Sequence, residues 1–108
     1  MANQQEIEEV YDFMDEIFRL SFGEHADLTC AMFHGDFSKT LAQAQRDKHE
    51  YILEGIGFKP GMRVLDIGSG FGPMLKAVQE RSGHGIGLTL SRKQAEWCKR
   101  AEDRKSVV

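Results

Sequence analysis

Asp66, Gly68, Gly70 and Gly72 stand at every second position of the stretch VLDIGSGFGP, and no other grouping in the chain has residue types and spacing so suited to chemistry. An apolar run precedes them and Pro73, a residue that suits the first turn of a helix, follows. A strand that runs straight into a helix N-terminus offers backbone N–H groups at the carboxyl edge of a sheet. Glycine lets such a turn take positive φ and lets a ligand come close to the backbone. Residues 64–74 therefore read as a nucleotide-type binding loop, with a purely structural turn as the plainer alternative.

The ligand class is narrowed by what the loop lacks. The dinucleotide fingerprint G-x-G-x-x-G fails, because the fifth position after Gly68 is Pro73 and the third glycine arrives one residue early. The phosphate-loop pattern fails too, since no Lys-Ser or Lys-Thr follows. His25, His34, His49 and His84 are scattered without metal spacing and are expected at the surface or in turns. Cys30 and Cys98 form no CxxC pair. Trp97 and Cys98 read as helix packing. No Ser-His-Asp constellation is present, so no catalytic residue and no metal ligand is assigned.

The elements that must hold the loop are legible in outline. Residues 3–20 are predicted as an amphipathic helix with Ile7, Val10, Tyr11, Met14, Ile17 and Phe18 at helical spacing, capped by Asn3 with Glu6. Residues 22–37 read as a structured loop. A second helix is predicted from Ser38 or Thr40 to Glu54, with Leu41, Ala44, the Lys48 stem, Tyr51 and Ile52 on one face, closed by Gly55 and Gly57. A strand at 62–67 leads into the glycines and a helix carrying Met74, Leu75, Ala77 and Val78. A second strand at 85–90 follows, and then a helix from Arg92 towards Arg104 that buries Ala95, Trp97 or Cys98, and Ala101. Ser91 and Gln94 fit a capping box at its start. Strands separated by a helix should be parallel, with a right-handed crossover.

With 108 residues the chain holds one domain, and 41% apolar with 29% charged residues is ordinary for a soluble globular protein. The net charge of −3 gives no ground for nucleic-acid binding. Residues 1–24 carry a net −6 and residues 92–105 a net +3, which reads as two solvated helix faces. Arg92 and Lys93 fit a solvated flank first and peripheral contact with an anionic lipid headgroup second. The first ten residues are polar and acidic, and no apolar run approaches the ~20 residues that span a bilayer, so a cytoplasmic setting is expected.

The pattern D-x-G-x-G-x-G resembles motif I of the class I S-adenosylmethionine (SAM) methyltransferases. The second strand ends Leu88-Thr89-Leu90-Ser91, without the acid that class usually places there, but GLTLSRKQ at 87–94 is similar to the TLS-type segment of the cyclopropane-fatty-acid and mycolic-acid synthase branch. Residues 11–33, YDFMDEIFRLSFGEHADLTCAMF, resemble that family's N-terminal stretch, and residues 40–72 resemble its TL-x-x-AQ to GCGWG stretch. There are departures: the family's Tyr-Ser is Leu28-Thr29 here, and Ser69 and Phe71 replace its Cys and Trp.

The resemblance implies an α/β, Rossmann-like class I methyltransferase fold, of which this chain supplies the N-terminal part: a helical segment at 1–57 and the first part of the SAM-binding domain at 58–108. It implies SAM as cofactor, with contacts from Thr29, Asp66, Gly68, Ser69, Gly70, Gly72, Thr89, Leu90, Ser91 and Gln94. Asp66 would supply negative charge near the cationic methionine group and anchor the loop's amides. Cys30 matches the cysteine whose backbone helps hold a bicarbonate ion; that ion's side-chain partners lie in the family's C-terminal half. The implied acceptor is an unsaturated lipid acyl chain or a small molecule. The family's sheet is seven-stranded and two strands are present here, so the first strand is expected to show an unpaired apolar edge prone to self-association, and the 108 residues alone are expected not to turn over. A non-catalytic nucleotide-binding or interaction module is the alternative, and a dinucleotide-binding domain a weaker third.

Overall fold

A computed structural model of the protein describes residues 3–22, 27 and 29–100. The expectations for His25, Leu28, Ala101 and the helix beyond Arg100 lie outside the described residues. The order is α1 (Gln4–Phe22), α2 (Leu41–Gly55), β1 (Arg63–Ile67), α3 (Pro73–Glu80), β2 (His84–Leu88) and α4 (Arg92–Arg100). Two of the helix starts are closed by reciprocal caps. The Glu6 amide donates to Asn3 Oδ1 at 2.9 Å while the Asn3 amide donates to the Glu6 carboxylate at 3.0 Å. Thr40 and Gln43 make the same exchange at α2. No helix among the described residues is long and apolar enough to cross a membrane.

β1 and β2 pair in parallel, with Val64 opposite Gly85 and Asp66 opposite Gly87. Along β1, Val64 and Asp66 turn to the half-buried side, and Arg63, Leu65 and Ile67 to the exposed one. Val64 joins Leu53 of α2 and Ala77 and Val78 of α3 in one small core, with Phe58 and Met74 packed on it. Leu75 and Cys98 form a second, with Ala95 and Trp97. The approach of α3 to β2 is set by the strand's glycines: a Cβ on Gly85 would lie 2.7 Å from Leu75 Cδ2, and one on Gly87 2.5 Å from Ser69 Oγ and 2.6 Å from Leu75 Cδ1. Glycine inside a strand marks this kind of close approach. The opposite side of β1 is bare, with Leu65 57% and Ile67 77% exposed, although parallel sheets are ordinarily covered on both faces. Among the described residues β1 pairs with β2 alone.

Two helix faces differ from the sequence expectation. On α1, Val10, Tyr11 and Ile17 are exposed, and among the side chains described there Asp15 is the fully buried one. The reason is polar: Asp12 and Asp15 meet the start of α4, and that contact, rather than the apolar stripe, orients the helix. On α2 the buried residues are Ala44, Gln45, His49 and Leu53, while Leu41 and Tyr51 stay exposed. Gln45, Lys48 and His49 turn inward to hold Asp27, and Leu53 is carried into the core by the same rotation.

Candidate functional site

A cleft of about 320 Å³ opens at the carboxyl ends of the two strands. Three segments wall it: the glycine loop with Gly68, Ser69, Gly70, Phe71 and Pro73; the β2–α4 corner with Thr89, Leu90, Ser91 and Gln94; and Asp27 with Thr29, Tyr11 completing the rim. Of the residues expected to contact a cofactor, all but Asp66 and Gly72 line it.

The loop is a closed turn rather than a row of offered amides. The Gly68 and Ser69 amides both donate to the Leu88 carbonyl, at 2.8 and 2.9 Å, and the Gly72 amide donates to the Ser69 carbonyl at 3.0 Å. Pro73, the first residue of α3, has no N–H to give. The expectation of open N–H groups at these positions is thus corrected, and so is the role of Asp66 as their anchor: the Leu88 carbonyl holds the first two amides and the Ser69 carbonyl the third. Gly70 has φ +57°, a Cβ built on it would meet nothing within 4 Å, and the residue lines the cleft. Gly72, at φ +77°, serves packing instead; its Cβ would lie 3.0 Å from Cys98 Sγ.

The corner is built by a hydrogen-bond network that crosses to α1. Ser91, 1% exposed, caps α4 by accepting from the Gln94 amide at 3.2 Å. Its hydroxyl faces Asp12 Oδ1 and Asp15 Oδ2, both at 2.8 Å. The Gln94 side chain does not return to Ser91 as a full capping box would. Its Nε2 donates to Asp15 Oδ1 at 2.8 Å, and its Oε1 accepts from the Thr89 hydroxyl at 2.6 Å. The Ser91 amide goes to Thr89 Oγ1. The Lys93 ammonium donates to the Asp12 carbonyl at 3.1 Å. The acidic first helix therefore packs on the start of the basic last one, and these side chains are not the separate solvated faces that charge alone suggests; acids beside a helix N-terminus are favoured by its dipole.

The third wall is ionic. Asp27 Oδ2 accepts from Lys48 Nζ at 2.8 Å and from His49 Nε2 at 3.0 Å. Its Oδ1 accepts from the Thr29 amide at 3.1 Å and from the Thr29 hydroxyl. Gln45 Nε2 donates to the Asp27 carbonyl at 3.0 Å, and Lys48 also reaches the Thr29 hydroxyl. Burial pushes the Asp27 carboxyl up, but the bonds from His49, Lys48 and Thr29 outweigh it and hold the group far below the ordinary value of 3.8. Asp66, at the end of β1, is pushed up by burial, with His49 opposing and Asp27 reinforcing the shift. His49 is therefore a buried, paired histidine and not the surface residue its scattered position suggests. His34 and His84 are exposed. Cys30 is exposed and outside the lining, whereas Cys98 is fully buried and Trp97 packs edge-on against Phe71.

Several of these residues escaped the sequence reading. Asp15 lies four positions after Tyr11 and three before Phe18, inside the stripe taken as apolar, and that placement was a usable signal. Gln45, Lys48 and His49 share one helical face by the same spacing. For Asp27 no local pattern gives notice.

A family profile described as mycolic acid cyclopropane synthetase matches residues 1–107. The S-adenosylmethionine-dependent methyltransferase UmaA of Mycobacterium tuberculosis is 38% identical over 96 residues, which cover 88% of this chain and 33% of that protein. The structure of the cyclopropane synthase MmaA2 from Mycobacterium tuberculosis superposes with a TM-score of 0.84 at 31% identity, over 99% of this chain and 40% of that one. The mycolic acid cyclopropane synthase CmaA1, complexed with SAH and CTAB, superposes at 0.79 with 32% identity, over 98% of this chain and 39% of that one. The chain spans about a third of the length of the curated relatives it matches. With its β-loop-α-β-α core, parallel strands and glycine loop in place, the chain belongs to the mycolic acid cyclopropane synthetase family.

Proposed function

We propose that the cleft seats SAM and that the chain is the cofactor-binding part of a methyltransferase acting on an unsaturated lipid acyl chain. The observation that carries this reading is Gly70: a half-buried backbone position at positive φ in the cleft lining, with open space where a side chain would stand. The charge of the walls points the same way. Among the described residues the lining contains no Lys or Arg, and the Gly68, Ser69 and Gly72 amides are already taken, so this part of the cleft is poorly equipped for a pyrophosphate and suited to a neutral or cationic ligand. Asp66 stands behind the loop as a half-buried acid whose ionised form a nearby cation would favour.

Gly68, Ser69, Gly70 and Phe71 would hold the ligand from one side and Thr89, Leu90 and Gln94 from the other, with Thr29 at the rim. SAM bound there would supply an electrophilic methyl group on its sulfonium. Two further relatives are a cyclopropane mycolic acid synthase and a methoxy mycolic acid synthase, which supports a lipid acyl acceptor over a small amine. Bicarbonate beside Cys30 remains part of the proposal for the whole protein.

Calorimetric titration of SAM and of NAD tests the assignment. SAM should bind and NAD should not, and Gly70→Val should abolish SAM binding by filling that space, with a backbone strain of about 1–2 kcal/mol. Tight NAD binding without a SAM signal would overturn it.

A further inference from the structure

We propose that Asp27 is a positioning residue for the Thr29 wall of the cleft, clasped to α2 by Lys48 and His49, and that protonation of His49 sets how firmly the wall is held. The effect on ligand affinity rests on the cleft being the SAM seat; the clasp itself does not.

The geometry assigns the role. One turn of α2 supplies three side chains, Gln45, Lys48 and His49, and all three converge on Asp27. Both carboxylate oxygens carry two donors each, so Asp27 has nothing left to offer a ligand although it lines the cleft. Thr29 is committed as well: its hydroxyl donates to Asp27 and accepts from Lys48. The wall is thus fixed by bonds running away from the cleft. Asp27 acts through Thr29 rather than on the ligand.

The charges that face this clasp come from each element around it. α2 brings Lys48 and His49, β1 brings Asp66 and the wall itself brings Asp27, while Tyr11 of α1 shares the same cleft. With both acids ionised the cluster is balanced when His49 is protonated and one charge short when it is neutral. The ionised Asp27 already makes its bond from His49 charge-assisted, and protonation of His49 turns that bond into an ion pair. The Asp27 carboxyl stays ionised across the range in which imidazoles titrate, because its partners hold it low. The clasp should therefore be tightest on the acidic side of that range and loosen as pH rises.

The test is nuclear magnetic resonance on the full 108-residue chain from about pH 5 to pH 8, with S-adenosylhomocysteine titrations alongside. The Thr29 amide should shift with the same midpoint as the His49 ring, and the shift should vanish in Asp27→Asn and in His49→Gln. Affinity for S-adenosylhomocysteine should fall as pH rises in the unsubstituted chain, lie flat in His49→Gln, and be weaker by about tenfold in Asp27→Asn. A Thr29 amide that stays still while His49 titrates overturns the proposal, as does Asp27→Asn with unchanged affinity. Where Asp27→Asn fails to fold, a Thr29 shift persisting in His49→Gln overturns it. If the unsubstituted chain does not bind S-adenosylhomocysteine, the cofactor reading falls, and the coupling of Thr29 to His49 alone decides the clasp.

Discussion

The glycine-loop wall and the Asp27 wall of one cleft are made in opposite ways. The first is backbone: consecutive residues turn back on themselves, their amides closed on Leu88 and Ser69, and the shape depends on side chains being absent. The second is side chain: one acid is gripped by a helix turn 18 to 22 residues away, and the shape depends on charges being present. The first wall should fail on added volume and the second on lost charge.

The sharpest way to break this contrast is Gly87→Val. The added Cβ would overlap Ser69 and Leu75, and the valine methyls would lie beyond it. Overpacking at such a site should cost about 3 kcal/mol in urea denaturation. A loss within error of zero would mean that the loop and α3 can move off the strand and that volume does not govern this wall.

Asp15→Ala comes next, because the β2–α4 corner combines both styles. Removing a fully buried carboxylate leaves Gln94 Nε2 without its acceptor and Ser91 with Asp12 alone. A loss of about 2 kcal/mol is expected, read as a lower melting midpoint and faster amide exchange in the first turn of α4. Unchanged exchange there would show that the corner stands without α1.

The smallest effect is a pH signature that sets the two aspartates against each other. Asp27 is held below its unfolded value, so its contribution is present above about pH 3.8 and is lost as pH falls towards the folded value. Asp66 is pushed above its unfolded value, so its ionised form costs stability at neutral pH, and that cost is relieved as pH falls through the folded value. At neutral pH Asp66→Asn should stabilise the chain and Asp27→Asn destabilise it. Both differences from the unsubstituted chain should shrink on acidification in denaturant titrations. The same sign for both variants at neutral pH would undo the contrast.

What could be read from the sequence follows the same division. The glycine loop, Pro73 at the start of α3 and the Asn3 cap all depend on neighbours a few residues apart, and each was legible; the parallel pairing of β1 with β2 followed from the helix that separates them. The Ser91–Gln94 box was legible in half: the backbone cap is there, but Gln94 is drawn off by Asp15, 79 positions away in sequence. The inward face of α2 was misjudged because hydrophobicity ranks Leu41 and Tyr51 above Gln45 and His49, and the ranking was overruled by an acid on another segment. Glycine at 85 and 87 could have been taken as a warning that a helix lies directly on the strand, since a strand interior gains nothing else from it.

The Gln94 carboxamide has a consequence of its own. It accepts from Thr89 at one end and donates to Asp15 at the other. Turned end for end, it would set its oxygen against a carboxylate, so only one of its two orientations is permitted. Ser91 has one hydroxyl proton for two equidistant acids, Asp15 in the interior and Asp12 nearer the surface. From Thr89 at the cleft, the donors therefore point in sequence through Gln94 to Asp15, where the run ends on a buried acceptor. Their dipoles add along that path. The corner carries a sense of direction, from the cleft to the interior, that none of its residues has alone.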